Sequence, residues 1–81
     1  MIYEKEFTNA ANEQSRKTGK DLESIMDVAK GLHYAGVSSL KVFAWCKTGL
    51  YGASLGRLSD LQKSEYNKAI NEFKQFLKER N

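Results

Sequence analysis

The chain has 81 residues, 13 Lys and Arg against 10 Asp and Glu, one histidine, one cysteine and no proline. That length allows one domain with a small core, and 41% hydrophobic with 28% charged residues excludes a disordered composition. The net charge of +3 inclines the chain slightly toward anionic partners without requiring nucleic acid. No run of about twenty apolar residues is present, so no membrane span is expected. The opening MIYEKEF lacks the basic segment and apolar core of a signal peptide. Cys46 cannot form an internal disulfide, and beside Phe43, Ala44 and Trp45 it reads as a buried thiol in a reducing compartment. The expected location is cytoplasmic.

Without proline, glycine supplies the helix breaks, and the pattern predicts an all-α fold. From Met1 to Lys17 the chain is polar, with Tyr3, Phe7, Ala10, Ala11 and Gln14 at loose helical spacing. Residues 1–19 therefore read as a marginal helix frayed at its beginning, or as a short extended arm, ended by Thr18 and Gly19. Residues 20–81 read as the helical core. There, Asp21 is a good N-cap for a second helix reaching Tyr34, with Leu22, Ile25, Met26, Ala29 and Leu32 on its core face and Gly36 at its end.

Ser38 or Ser39 caps a third helix, Leu40 to about Thr48, that is apolar on nearly all sides apart from Lys41 and Lys47. A helix of that kind needs cover all round, so it is placed at the centre of a bundle of three to four helices. Gly49, Gly52 and Gly56 follow, interleaved with Leu50, Tyr51 and Leu55, as a structured loop or a short helical turn. Ser59 and Gln62 then stand at capping-box spacing. The last helix, Asp60 to about Glu79, carries Tyr66, Ala69, Ile70, Phe73, Phe76 and Leu77 on one face, with Glu65, Glu72 and Glu79 along one edge and Lys63, Lys74 and Lys78 toward the other.

No motif combines the residue types and spacing of a known reaction. The glycine segment lacks the Gly-Lys-Ser/Thr ending of a nucleotide loop, and no strand precedes it. Gly49-Leu50-Tyr51-Gly52 matches the Gly-x-x-Gly of KH domains, yet its middle residues are not basic and the KH strands are missing. Close helix approach or tight turns explain these glycines better. The helices around Gly36 have helix-turn-helix order, but Leu40, Val42, Phe43 and Trp45 are unsuited to base edges, which favours a buried hairpin. His33 and Cys46 fall short of the four ligands of structural zinc. No metal site, cofactor or catalytic residue is expected, and the chain reads as a non-enzyme.

The surface pattern nominates Lys41, Lys47, Arg57, Lys63, Lys74 and Lys78 as phosphate or partner contacts, with Tyr51 as a base-stacking candidate. The competing expectation is a solvated face whose lysines are balanced by nearby glutamates.

From Tyr51 onward, the order Tyr-Gly-Ala-Ser, then Arg57-Leu58-Ser59, then Tyr66-Asn67-Lys68-Ala69-Ile70-Asn71-Glu72-Phe73 resembles small C-terminal helical modules of phage DNA-metabolism proteins. Phage antirepressor modules are similar in an aromatic-Gly-small-Ser segment and a final Tyr-x-x-Ala-Ile helix. The C-terminal domain of Beta-type single-strand-annealing recombinases is similar in an apolar helix, a polar break and a Lys-Ala-bearing last helix. The resemblance spans at most Leu22 to Arg80, and the chain departs from both groups in lacking an attached catalytic or DNA-annealing domain. It implies a non-enzymatic phage or mobile-element module docking a DNA-processing or host protein. The alternatives are a small basic nucleic-acid-binding protein and a phage inhibitor of a host enzyme.

Overall fold

The computed structural model describes residues 1–80, and the final position of the predicted core segment, Asn81, lies outside the described residues. Four α-helices form: α1 Glu4–Thr18, α2 Leu22–Tyr34, α3 Ser39–Thr48 and α4 Asp60–Arg80, with a 3-10 turn, Gly52–Arg57, between the last two. The fold is all-α. The helix boundaries follow local chemistry. The Asp21 carboxylate accepts from the Ser24 amide and the Ser38 hydroxyl from the Lys41 amide. At α4 the capping box is reciprocal: the Ser59 amide donates to Gln62 Oε1 at 2.9 Å and the Gln62 amide donates to Ser59 Oγ at 3.1 Å.

The end of α2 is a Schellman turn. The Val37 amide reaches the Leu32 carbonyl and the Gly36 amide the His33 carbonyl, with Gly36 at φ 89°. α3 is the hub, with Val42 through Cys46 buried without a break, and each of the other helices packs against it. This burial excludes α3 as a recognition helix, because Val42, Phe43 and Trp45 face the core and not a groove of DNA. It also pushes the Cys46 thiol up to about 12, so Cys46 stays protonated and unreactive at neutral pH.

Of the two forms expected for residues 1–19, a helix and an extended arm, α1 is the helix. Its 15 residues bring Phe7, Ala10, Ala11 and Gln14 into the same core that α2, α3 and α4 build. Two alanines let the helix approach α3 closely, so few large apolar groups are needed. Tyr3, just before the helix, takes the left-handed conformation at φ 65° and packs edge-on against Phe73 with ring centroids 5.3 Å apart. The strain of that conformation is about 1–2 kcal/mol, and insertion of the ring into the aromatic cluster offsets it.

The glycine segment is governed by one close approach. A Cβ on Gly52 would lie 2.6 Å from Tyr66 Oη, so the turn can sit on α4 only because residue 52 has no side chain. Tyr66 Oη is itself buried without a hydrogen-bond partner among the described residues, and burial raises the pKa of the phenol. Gly52→Ala is expected to destabilise by about 1–3 kcal/mol. Tyr66→Phe removes both the clash and the unpaired hydroxyl, so it is expected to be nearly neutral alone and to recover most of the Gly52→Ala loss. A double-mutant cycle in urea checks this: strictly additive losses would contradict the close approach.

Candidate functional site

α1 and α4 run antiparallel on either side of α3, and a groove lies between them with α3 as its floor. Its walls pair Glu6 and Asn9 of α1 with Gln75, Phe76 and Glu79 of α4 at one end, and Lys17 and Thr18 with Glu65 and Lys68 at the other. From Glu6 to Lys17 the groove is about 16 Å long, the length of three helical turns. Lys47, rising from α3, crosses its middle and forms ion pairs with Glu13 of α1, at 3.4 Å, and Glu72 of α4. Burial disfavours the Lys47 ammonium, but the hydrogen bond and charge of Glu72 and then those of Glu13 outweigh it, and the pKa is raised above 10.5. A raised lysine pKa keeps the bridge through neutral pH and loses it only as pH climbs past the ordinary lysine range through the raised value.

The bridge divides the groove into unlike halves. One half, about 480 Å³, has Ala10, Phe43 and Phe76 below and Glu6, Glu13, Glu72 and Glu79 at its rim, with Lys47 as its only cation. The other, about 690 Å³, mixes Lys17, Lys47 and Lys68 with Glu13, Glu65 and Glu72. At the base of that half Gln14, 1% exposed, donates from Nε2 to the Trp45 carbonyl at 3.0 Å and the Cys46 carbonyl at 2.9 Å. The bond to Cys46 satisfies a carbonyl left open at the end of α3, the Trp45 carbonyl also accepts from the Gly49 amide, and the two Gln14 bonds fasten α1 to α3. Gln14 Oε1 has no hydrogen-bond partner among the described residues and lies against Gly49, which closes α3 at φ 75°.

The residues nominated from the sequence fall into three settings. Lys47 is engaged by two carboxylates and is therefore not a free phosphate contact. Lys41 and Tyr51 meet at the 3-10 turn: the Lys41 stem lies beside Gly52, and the Tyr51 ring, 45% exposed, leans on Trp45 with centroids 5.9 Å apart. One face of Tyr51 is thus already covered. Arg57 is exposed at the end of that turn. Lys63, Lys74 and Lys78 share one edge of α4, and Lys74 and Glu72 point about 160° apart around the helix, which sets this edge away from the groove.

Among the described residues none of Lys41, Arg57, Lys63, Lys74 and Lys78 takes part in an ion pair, so the lysine edge is not neutralised by contact with the glutamates. Glu72, expected on a solvated acidic edge, instead serves the groove. Sequence reasoning did not assign Glu13, Gln14 or Phe76 to a site, and the only local signal for them was their place on helical faces. No group of three or more His, Cys, Asp or Glu side chains suited to a metal ion occurs among the described residues, and no described helix is long and apolar enough to cross a membrane. No family model, curated protein or solved structure matches the chain.

Proposed function

We propose that the chain is a non-enzymatic helical interaction module that docks a protein partner in the groove between α1 and α4. The observation that carries this reading is the groove itself, about 16 Å long, with an apolar stretch of floor and charged walls built on three helices. Such a trough suits a short helical segment seated on one side of the Lys47 bridge. The resemblance to phage DNA-metabolism modules supports a DNA-processing or host protein as the partner, and inhibition of a host enzyme is one use of the same docking.

Gln75 is exposed on the wall of the acidic half, so Gln75→Arg narrows the groove without touching the core. Immobilised wild-type protein is expected to recover one specific partner from phage-infected bacterial extract, and the Gln75→Arg variant to recover at least about tenfold less. Equal recovery by both would reject the groove as the docking surface.

A second reading, nucleic-acid binding, is favoured by Lys41, Arg57, Lys63, Lys74 and Lys78, which take part in no ion pair among the described residues, with Tyr51 as a stacking surface. It predicts that DNA retention falls steeply with salt and that Lys74→Glu weakens it at low salt. No retention of labelled DNA at low salt would reject it.

A further inference from the structure

The acidic half of the groove has a composition that selects its occupant. Four carboxylates, from Glu6, Glu13, Glu72 and Glu79, surround it, and Lys47 is the one ammonium among them. This excess of negative charge sits in a chain whose formal net charge is +3. Beneath it lie the rings of Phe43 and Phe76, each packed against Phe73 with centroids 4.8 and 5.5 Å away. A cation that also offers a flat face fits both features, through carboxylate pairing at the rim and stacking on the rings below. Phe76 already takes such a contact from outside the groove lining: the Arg80 guanidinium lies 5.6 Å from the Phe76 ring centroid and 5.3 Å from that of Tyr3, and neither Arg80 nor Tyr3 lines the acidic half.

We infer that the acidic half of the groove binds an arginine-bearing amphipathic helix of the partner protein, its guanidinium groups paired with the rim glutamates and its apolar face on Phe43 and Phe76. Arginine is favoured over lysine because the planar guanidinium binds a carboxylate through two hydrogen bonds and stacks on an aromatic ring, whereas an ammonium is a compact and more strongly hydrated charge. The inference rests on the docking reading and adds the chemistry of the docked segment.

The test uses a fluorescently labelled amphipathic peptide with arginines on one face and leucines on the other, titrated with the full chain and followed by anisotropy. Versions with lysine or glutamate in place of arginine serve as comparisons. The arginine peptide is expected to bind, the lysine peptide to bind several-fold more weakly, and the glutamate peptide not to bind. Glu6 and Glu79 lie outside the Lys47 bridge, so the double variant Glu6→Gln/Glu79→Gln leaves the bridge intact and is expected to weaken arginine-peptide binding about tenfold. Lys30→Glu, on the exposed face of α2 and outside the groove lining, is expected to leave it unchanged within about twofold.

Absence of arginine-peptide binding, equal binding of the glutamate peptide, or an unaltered affinity in the double glutamine variant would overturn the inference. So would sedimentation showing that the chain fills this groove with a second copy of itself, released by the double variant. If the arginine peptide fails while Gln75→Arg still abolishes partner capture, docking in the groove stands and the arginine assignment falls. If Gln75→Arg has no effect on capture either, both fall.

Discussion

Phe73→Ala is expected to leave little folded protein at room temperature. The Phe73 side chain is fully buried, stacks with Phe43 and Phe76, and touches the rings of Tyr3 and Phe7, so it joins α1, α3 and α4 at one point. Removing a buried phenylalanine costs about 3–5 kcal/mol through lost transfer energy and the cavity left behind. A domain of this size has only about 5–15 kcal/mol in total and is expected near the lower end. Urea denaturation followed by the fluorescence of Trp45 and by circular dichroism measures the loss. Phe73→Leu, which keeps most of the volume, is expected to cost clearly less. A midpoint for Phe73→Ala equal to that of the wild type would contradict the packing described.

The second large effect is expected at Gln14, where the cause is polar. Gln14→Leu removes both donors from the end of α3, and the Cys46 carbonyl then has no partner among the described residues. The expected loss is about 2–3 kcal/mol. Gln14→Glu is expected to be worse at neutral pH, because an ionised carboxylate cannot donate and would face two carbonyl oxygens in a buried place. Burial would raise the folded pKa of that carboxyl above the unfolded value of about 4.3. The extra deficit therefore grows as pH rises through about 4.3 and levels off above the folded value, so the variant comes nearer to the wild type at pH 4 than at pH 7. Paired denaturation curves at the two pH values check this, and the reverse trend would contradict it.

These two residues mark the boundary of what the sequence made legible. Features written in local chemistry could be read directly: the Asp21 and Ser38 caps, the Ser59 and Gln62 box, Gly36 after α2, and the central position of α3, whose apolar circumference demands neighbours. The weight of α1 was less legible, because Ala10 and Ala11 contribute by being small and Gln14 by reaching across 31 and 32 positions to the carbonyls of Trp45 and Cys46. Helical spacing places such residues on a face without saying what that face meets.

The same limit applies to the site. Lys47 looks like a surface cation in sequence, and only the tertiary approach of α1 and α4 reveals Glu13 and Glu72 on either side of it. Lys63, Lys74 and Lys78 were legible as one edge of α4, because their spacing alone fixes it. That the edge has no ion-pair partner among the described residues is a property of the fold, since Glu72 turns into the groove instead.

The docking proposal makes the groove between α1 and α4 the surface that meets a protein partner. Amide chemical-shift mapping of the full chain, titrated with the partner recovered by capture, tests it most directly. The largest perturbations are expected on Glu6, Asn9, Phe43, Lys47, Glu72, Gln75 and Phe76, with Lys63, Lys74 and the 3-10 turn little changed. Perturbations confined to Lys41, Tyr51, Arg57, Lys63, Lys74 and Lys78, with the groove silent, would contradict it.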